Sequence, residues 1–349
     1  MDKKMFAALI HFGDLWDWAN KYGQNGLESF RFDMEVWNNV VNKCVEHQVD
    51  TIVFDISEGL IHEEYPEINF PGAWTNDQLR AEVQRLKKLG ITMIPKYNFA
   101  VPHASWLGVY NEHKISTPKY YEICKHVIEE AYEIFDHPAY IHLGFDEESP
   151  DRRTPDNFQR DKEMLFHDYK YIVDCVKATG ARPCVWHSMF LYFDDTFEIF
   201  DKDVVVFTCM YYTYDREDWT PLETQPENAV KYYHGEFKQR WFYPDYVAKY
   251  GDVPVEYVEQ DPVIDRVLKK RQELYEKGYK MVMATTNMFI KNNEWVTLKK
   301  YKGHEHEDAI LGYVACPWRA TVKDWEEVLL EEIELMGKAR KEFYPETLK

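Results

Sequence analysis

The sequence predicts a single-domain (β/α)8 TIM barrel, an α/β fold, on three observations. Eight short apolar runs recur along its 349 residues, helical patterns separate most of them, and each run is near-continuously apolar rather than alternating. Strands buried on both faces read that way, and a parallel sheet flanked by helices buries both faces. Eight such strand–helix units close into a barrel. A doubly wound open sheet is the competing architecture, but no glycine-rich phosphate loop supports it.

The first run, FAALIHF (6–12), follows a basic start but lacks a cleavage site, and GDLWDW comes at once. It is read as the first strand of a cytoplasmic chain; a periplasmic or secreted location would follow only if a signal peptide had been removed. TIVFDI (51–56) is the second strand. TNDQLRAEVQRLKKLG (75–90) opens with acids and amides and closes in lysines and a glycine, the order that a helix dipole and a C-cap favour. ITMIPKY (91–97) is the third strand. In ISTPKYYEICKHVIEEAYEIF (115–135), Thr117 is the N-cap and Pro118 the first helical residue. AYIHLGF (139–145) is the fourth strand. MLFHDYKYIVDCVKATG (164–180) then runs to a glycine before RPCVWHS (182–188), the fifth. DVVVFTCMYY (203–212) is the sixth. VIDRVLKKRQELYEKG (263–278) stops at Gly278 before the seventh, YKMVMATT (279–286), and ILGYVACPW (310–318) completes the set. The barrel spans 5–340. The stretch 213–278 is longer than one crossover needs and is rich in Tyr, Trp and Pro. It is expected to pass over the barrel mouth and wall a cleft. The same aromatics would suit a subunit interface, so the oligomeric state stays open.

Composition narrows the function. Asp and Glu outnumber Lys and Arg 61 to 42, a formal charge of −19, which disfavours a nucleic-acid partner. No apolar run is long enough to span a membrane. The six cysteines are scattered without a CxxC pair and are expected to be free buried thiols.

Barrel active sites form at the C-terminal strand ends. That rule selects His11, Asp14, Trp16 and Trp18; Asp55 and Glu58; Lys96, Tyr97, Asn98 and His103; and Asp146, Glu147 and Glu148. It also selects Trp186 and His187, Tyr211 and Tyr212, Asn287, Trp318 and Arg319. Acids, aromatics and amides dominate. Aromatic faces stack on sugar rings while carboxylates and amides bind hydroxyls, so a carbohydrate is the expected partner. If residues 146 and 147 continue a strand, they point to opposite sides. One acid that keeps its proton beside an ionised neighbour is what glycosidic cleavage needs. The expected substrate contacts are Asp14, Trp16, Asp55, Asn98, His103, Trp186, Tyr211, Asn287 and Trp318, with no cofactor and no metal. Two other readings compete. In one, His11, Asp55, His142 and His187 converge on a divalent ion. In the other, the barrel binds sugar without catalysis.

HLGFDE (142–147) resembles the H-x-G-x-D-E signature of family 20 glycoside hydrolases, the β-N-acetylhexosaminidases. IPKYNFAVPHASW (94–106) is similar to that family's third-strand segment, I-P-E-x-D-x-P-G-H. TIVFDISEGLIHEEYPEI (51–68) is similar to its second, and GYVACPWRA (312–320) to its last. The resemblance implies that Glu147 is the general acid/base and that Asp146 orients a 2-acetamido group whose carbonyl is the nucleophile. It implies a structural His142, with His103 and Asp55 flanking the acid/base and Trp186 and Trp318 walling the sugar. The chain also departs from the family. IHFGDLWDW stands where a sugar-binding arginine is expected, Asn287 lies near the place of a supporting tyrosine, and Ala320 replaces an acid. Lys96 and Asn98 stand for Glu and Asp. Acid catalysis is thus expected to be kept while sugar recognition is rebuilt.

Overall fold

The computed structural model describes residues 4–13, 30–148, 160–210, 262–287 and 292–348. Asp14, Trp16, Tyr211 and most of the 213–278 stretch lie outside the described residues. The strands are β1 Met5–His11, β2 Thr51–Asp55, β3 Thr92–Lys96, β4 Tyr140–His142, β5 Arg182–Trp186, β6 Val205–Cys209, β7 Lys280–Thr285 and β8 Ile310–Ala315. They form one closed barrel in sequence order, and every neighbouring pair is parallel. The main helices outside it are α1 Met34–Glu46, α2 Asn76–Lys88, α3 Pro118–Ile134, α4 Lys162–Thr179, α5 Pro262–Glu276, α6 Asn293–Tyr301 and α7 Glu326–Phe343. No helix among the described residues is long and apolar enough to cross a membrane.

The caps read from the sequence are formed. Thr117 accepts from the Tyr120 N–H with Pro118 opening α3. A reciprocal capping box of Thr75 and Gln78 on α2 adds to them, one that the sequence reading did not name. Gly180 ends α4 at φ +98°, a conformation costly for any residue with a Cβ.

Strand alternation divides the core in two. Leu9, Val53, Ile94, Cys184, Phe207, Val282 and Val314 fill the barrel interior. Phe6, Ile10, Phe54, Met93, Ile141, Val206 and Tyr313 pack in the second cluster, against the helices. Both faces of each strand are therefore apolar, as the near-continuous runs required. All six cysteines are free, and all but Cys209 are buried.

One expected element is shorter. The fourth strand was expected over 139–145 but spans only Tyr140–His142. Gly144, Phe145 and Glu147 have φ of +74°, +68° and +62°, so the chain turns out of the sheet before the acids. Asp146 and Glu147 therefore lie beyond the strand, and in place of the opposite sides expected from pleating both carboxylates approach His103.

Candidate active site

Four consecutive strands end at one level in a polar layer. His11 pairs in register with Asp55, Asp55 with Lys96, and Lys96 with His142. All four side chains are buried. Asp55 is bridged by the Lys96 ammonium and lies 3.1 Å from His11 Nδ1. Burial alone would raise the Asp55 carboxyl, but Lys96 and His11 overcome it and hold the group well below the ordinary carboxylate range. His142 is kept neutral by burial and then by Lys96, and its Nδ1 accepts the Gly144 N–H at 3.1 Å.

Above this layer the loops after β3 and β4 meet. Asn98 Nδ2 donates to Asp146 Oδ1 at 2.7 Å. His103 Nε2 lies 3.6 Å from Asp146 Oδ2 and 3.4 Å from Glu147 Oε2. The Glu147 side chain is 40% exposed, against 17% for Asp146 and 10% for His103. Burial opposes charge on His103, yet Asp146 and Glu147 prevail and raise its pKa. The turn that presents the acids has a steric requirement. A Cβ on Gly144 would lie 2.1 Å from Asn98 Oδ1, so only glycine fits. Left-handed backbone at Phe145 and Glu147 costs about 1–2 kcal/mol each. The Phe145 ring offsets some of this by stacking on Tyr169 at 3.6 Å.

The third acid has a different fate. Glu148, also selected by the strand-end rule, turns inward. Its carboxylate accepts from Arg160 Nε at 2.9 Å, Arg160 Nη2 at 2.6 Å, the Val101 N–H at 3.0 Å and the Tyr169 hydroxyl at 3.2 Å. Arg160 was not visible as a site residue from sequence. Its other nitrogen donates to Asp168 Oδ2 at 2.9 Å. Asp168 did leave a signal. It falls on the buried face of α4 with Leu165, Tyr169 and Ile172, where an acid requires a partner.

The aromatic floor is deeper than expected. Trp186 is 1% exposed and packs on His142 at 4.9 Å and under Trp318 at 5.5 Å. Its ring is covered, so it supports the mouth and does not wall it. Trp318 is half-buried, at φ +49°, with His11 5.9 Å away. Asn287 at the end of β7 is engaged by its own loop. Its Oδ1 accepts from the Asn292 N–H at 2.9 Å, and its N–H donates to Glu332 Oε1 at 2.7 Å. Behind it the Glu332 and Glu294 carboxyls meet, both buried. Burial first, then Glu294, raises Glu332 well above the carboxylate range, and burial raises Glu294.

Among the described residues, no group of three or more His, Cys, Asp and Glu is arranged to hold a metal ion. His187, one of the four considered, accepts the Cys209 N–H on Nδ1, and burial followed by Arg271 lowers its pKa to about 3.

No family model matches the chain, and no curated protein matches it. Solved structures do. An inactive mutant of the GH20 exo-β-N-acetylglucosaminidase of Vibrio harveyi aligns over 97% of this chain with TM-score 0.59 and 12% identity. The barrel is one that family 20 enzymes share. Dispersin B aligns over 97% of this chain and 99% of its own, with TM-score 0.55 and 11% identity. A mutant Streptomyces plicatus β-hexosaminidase holding the product GlcNAc aligns over 97% of this chain and 63% of its own, with TM-score 0.56 and 12% identity. This chain spans 54% of the Vibrio protein's length. The expected resemblance is thus met at the level of the fold.

Proposed function

We propose that this chain is a glycoside hydrolase acting on a 2-acetamido sugar, with Glu147 as general acid/base and Asp146 orienting the acetamido group. The observation that carries the reading is the convergence of Asp146 and Glu147 on His103 at the mouth of a barrel shared with hexosaminidases. Protonated Glu147 gives its proton to the leaving oxygen as the glycosidic C–O bond breaks. The carboxylate it becomes lies 3.4 Å from His103, whose raised pKa favours the cation there. Asp146, held by Asn98, accepts the acetamido N–H, and the acetamido carbonyl oxygen closes on the anomeric carbon. Water then opens this ring, with Glu147 taking its proton.

The state of Asp55 supports this substrate-assisted route over a direct protein nucleophile. It is buried and saturated by Lys96 and His11, which leaves little for attack on a sugar. Trp318 is the ring available for stacking among the described residues named at the mouth.

The test is turnover of an aryl 2-acetamido-β-glycoside with product anomer read by NMR. Retention, inhibition by a thiazoline mimic and loss of activity in Glu147→Gln are expected. An inverted product would remove the assisted route. Sugar binding without turnover on a glycan panel would replace hydrolase with lectin-like barrel.

A further inference from the structure

We infer that Glu148 and Arg160 are positioning residues that lock the loop after β3, which carries Asn98 and His103, to the loop after β4, which carries the acids. The inference rests on Asp146 and Glu147 being the reactive acids. Its basis is where each hydrogen bond lands. Glu148 belongs to the loop after β4, yet it accepts from the Val101 N–H of the loop after β3. Arg160 grips Glu148 through Nε and Nη2 and donates from Nη2 to the Phe99 carbonyl at 3.1 Å. Phe99 and Val101 lie between Asn98 and His103, the two side chains that hold Asp146 and Glu147. One guanidinium and one carboxylate thus cross-brace all four site residues.

The brace is itself anchored. Arg160 Nη1 bonds Asp168 of α4, and Asp168 also accepts from Tyr121 at 2.6 Å and from Ser116. The guanidinium lies 5.0 Å from the Tyr169 ring centroid, and that ring stacks on Phe145, the residue before Asp146. Both members of the Glu148–Arg160 pair are fully buried. A planar fork that makes two parallel bonds fixes direction as well as distance, which a lysine does not reproduce. Phe145 and Glu147 sit in left-handed backbone, so the turn needs such an external constraint to hold one conformation.

The test uses the full chain with Arg160→Lys, Glu148→Gln and Glu148→Asp. Arg160→Lys keeps the charge and loses the fork; Glu148→Gln keeps the shape and weakens the grip. Two readouts are taken on folded protein: kcat and KM for an aryl 2-acetamido-β-glycoside, and His103 titration by imidazole NMR. A misplaced acid costs on the order of 10²-fold in rate. The expected result is a kcat loss of that size with KM changed less than about threefold, and a His103 pKa moved down towards 6.5. Glu148→Asp, which keeps the carboxylate, is expected to lie between wild type and Glu148→Gln. Unchanged kcat per folded molecule with an unchanged His103 titration in both Arg160→Lys and Glu148→Gln would overturn the inference. If the wild type turns over no glycoside, the hydrolase reading fails by itself, and the His103 titration still decides the brace.

Discussion

At the end of β4, Asp146 and Glu147 sit partly open beside His103, and the loop that carries them is braced from behind by an ion pair. Behind the end of β7, Glu294 and Glu332 meet with no water access, and burial raises both. Both places crowd two carboxyl groups together. The first relieves the crowding with a titratable cation, an amide and solvent. The second relieves it by holding a proton. Adjacent acids therefore carry no fixed meaning, because the partner and the access to water decide whether they stand open at the mouth or are buried around a proton. Asn287, expected to touch substrate, belongs to the second kind of place: its N–H donates to Glu332 of α7, and its Oδ1 accepts from Asn292 of its own loop.

Four experiments break or sharpen this contrast. The largest effect is expected for Glu147→Gln, a loss of about 10²–10⁴-fold in kcat with the unfolding midpoint unchanged. Near wild-type turnover on substrates with poor leaving groups would move the acid elsewhere. Next is its neighbour. Glu148→Ala leaves Arg160 buried and half-paired and should lower stability by about 3–5 kcal/mol, measured by denaturant unfolding. Glu147→Ala should change stability by no more than about 0.5 kcal/mol. Equal losses would erase the distinction between the two glutamates.

Trp318→Ala comes third. Removing a stacking face of roughly 1.5–3 kcal/mol should weaken sugar binding by about 10- to 150-fold. A lower melting temperature with normal binding would make Trp318 packing only, like Trp186 beneath it.

The smallest effect is a slope. Glu332 has a raised pKa in the fold, so the native chain keeps a proton that the unfolded chain releases. The stability that proton supports is complete below the ordinary carboxylate range and is lost as pH rises through the raised value, by up to about 1.4 kcal/mol per pH unit. Glu332→Gln should flatten the decline in unfolding free energy above about pH 5. A slope identical to wild type would mean that the pair is not protonated.

The sequence by itself determined the barrel, the helix caps at Thr117 and Gly180 and the address of the candidate site. Near-continuous apolar runs report two-faced burial, Thr117 and Gly180 report their own helix ends, and strand termini report the mouth, because each signal is local in the chain. HLGFDE also put Asp146 and Glu147 where the mouth forms. Only the tertiary structure decided which acid opens to the mouth and which is buried in an ion pair. Glu147 and Glu148 are the same residue type at neighbouring positions, and their fates separate through Arg160, Val101 and Tyr169, brought from other segments. The same holds for Asp55 under Lys96 and for Trp186 under Trp318. Charge state and exposure depend on what folding places within a few ångströms, and no spacing along the chain encodes that.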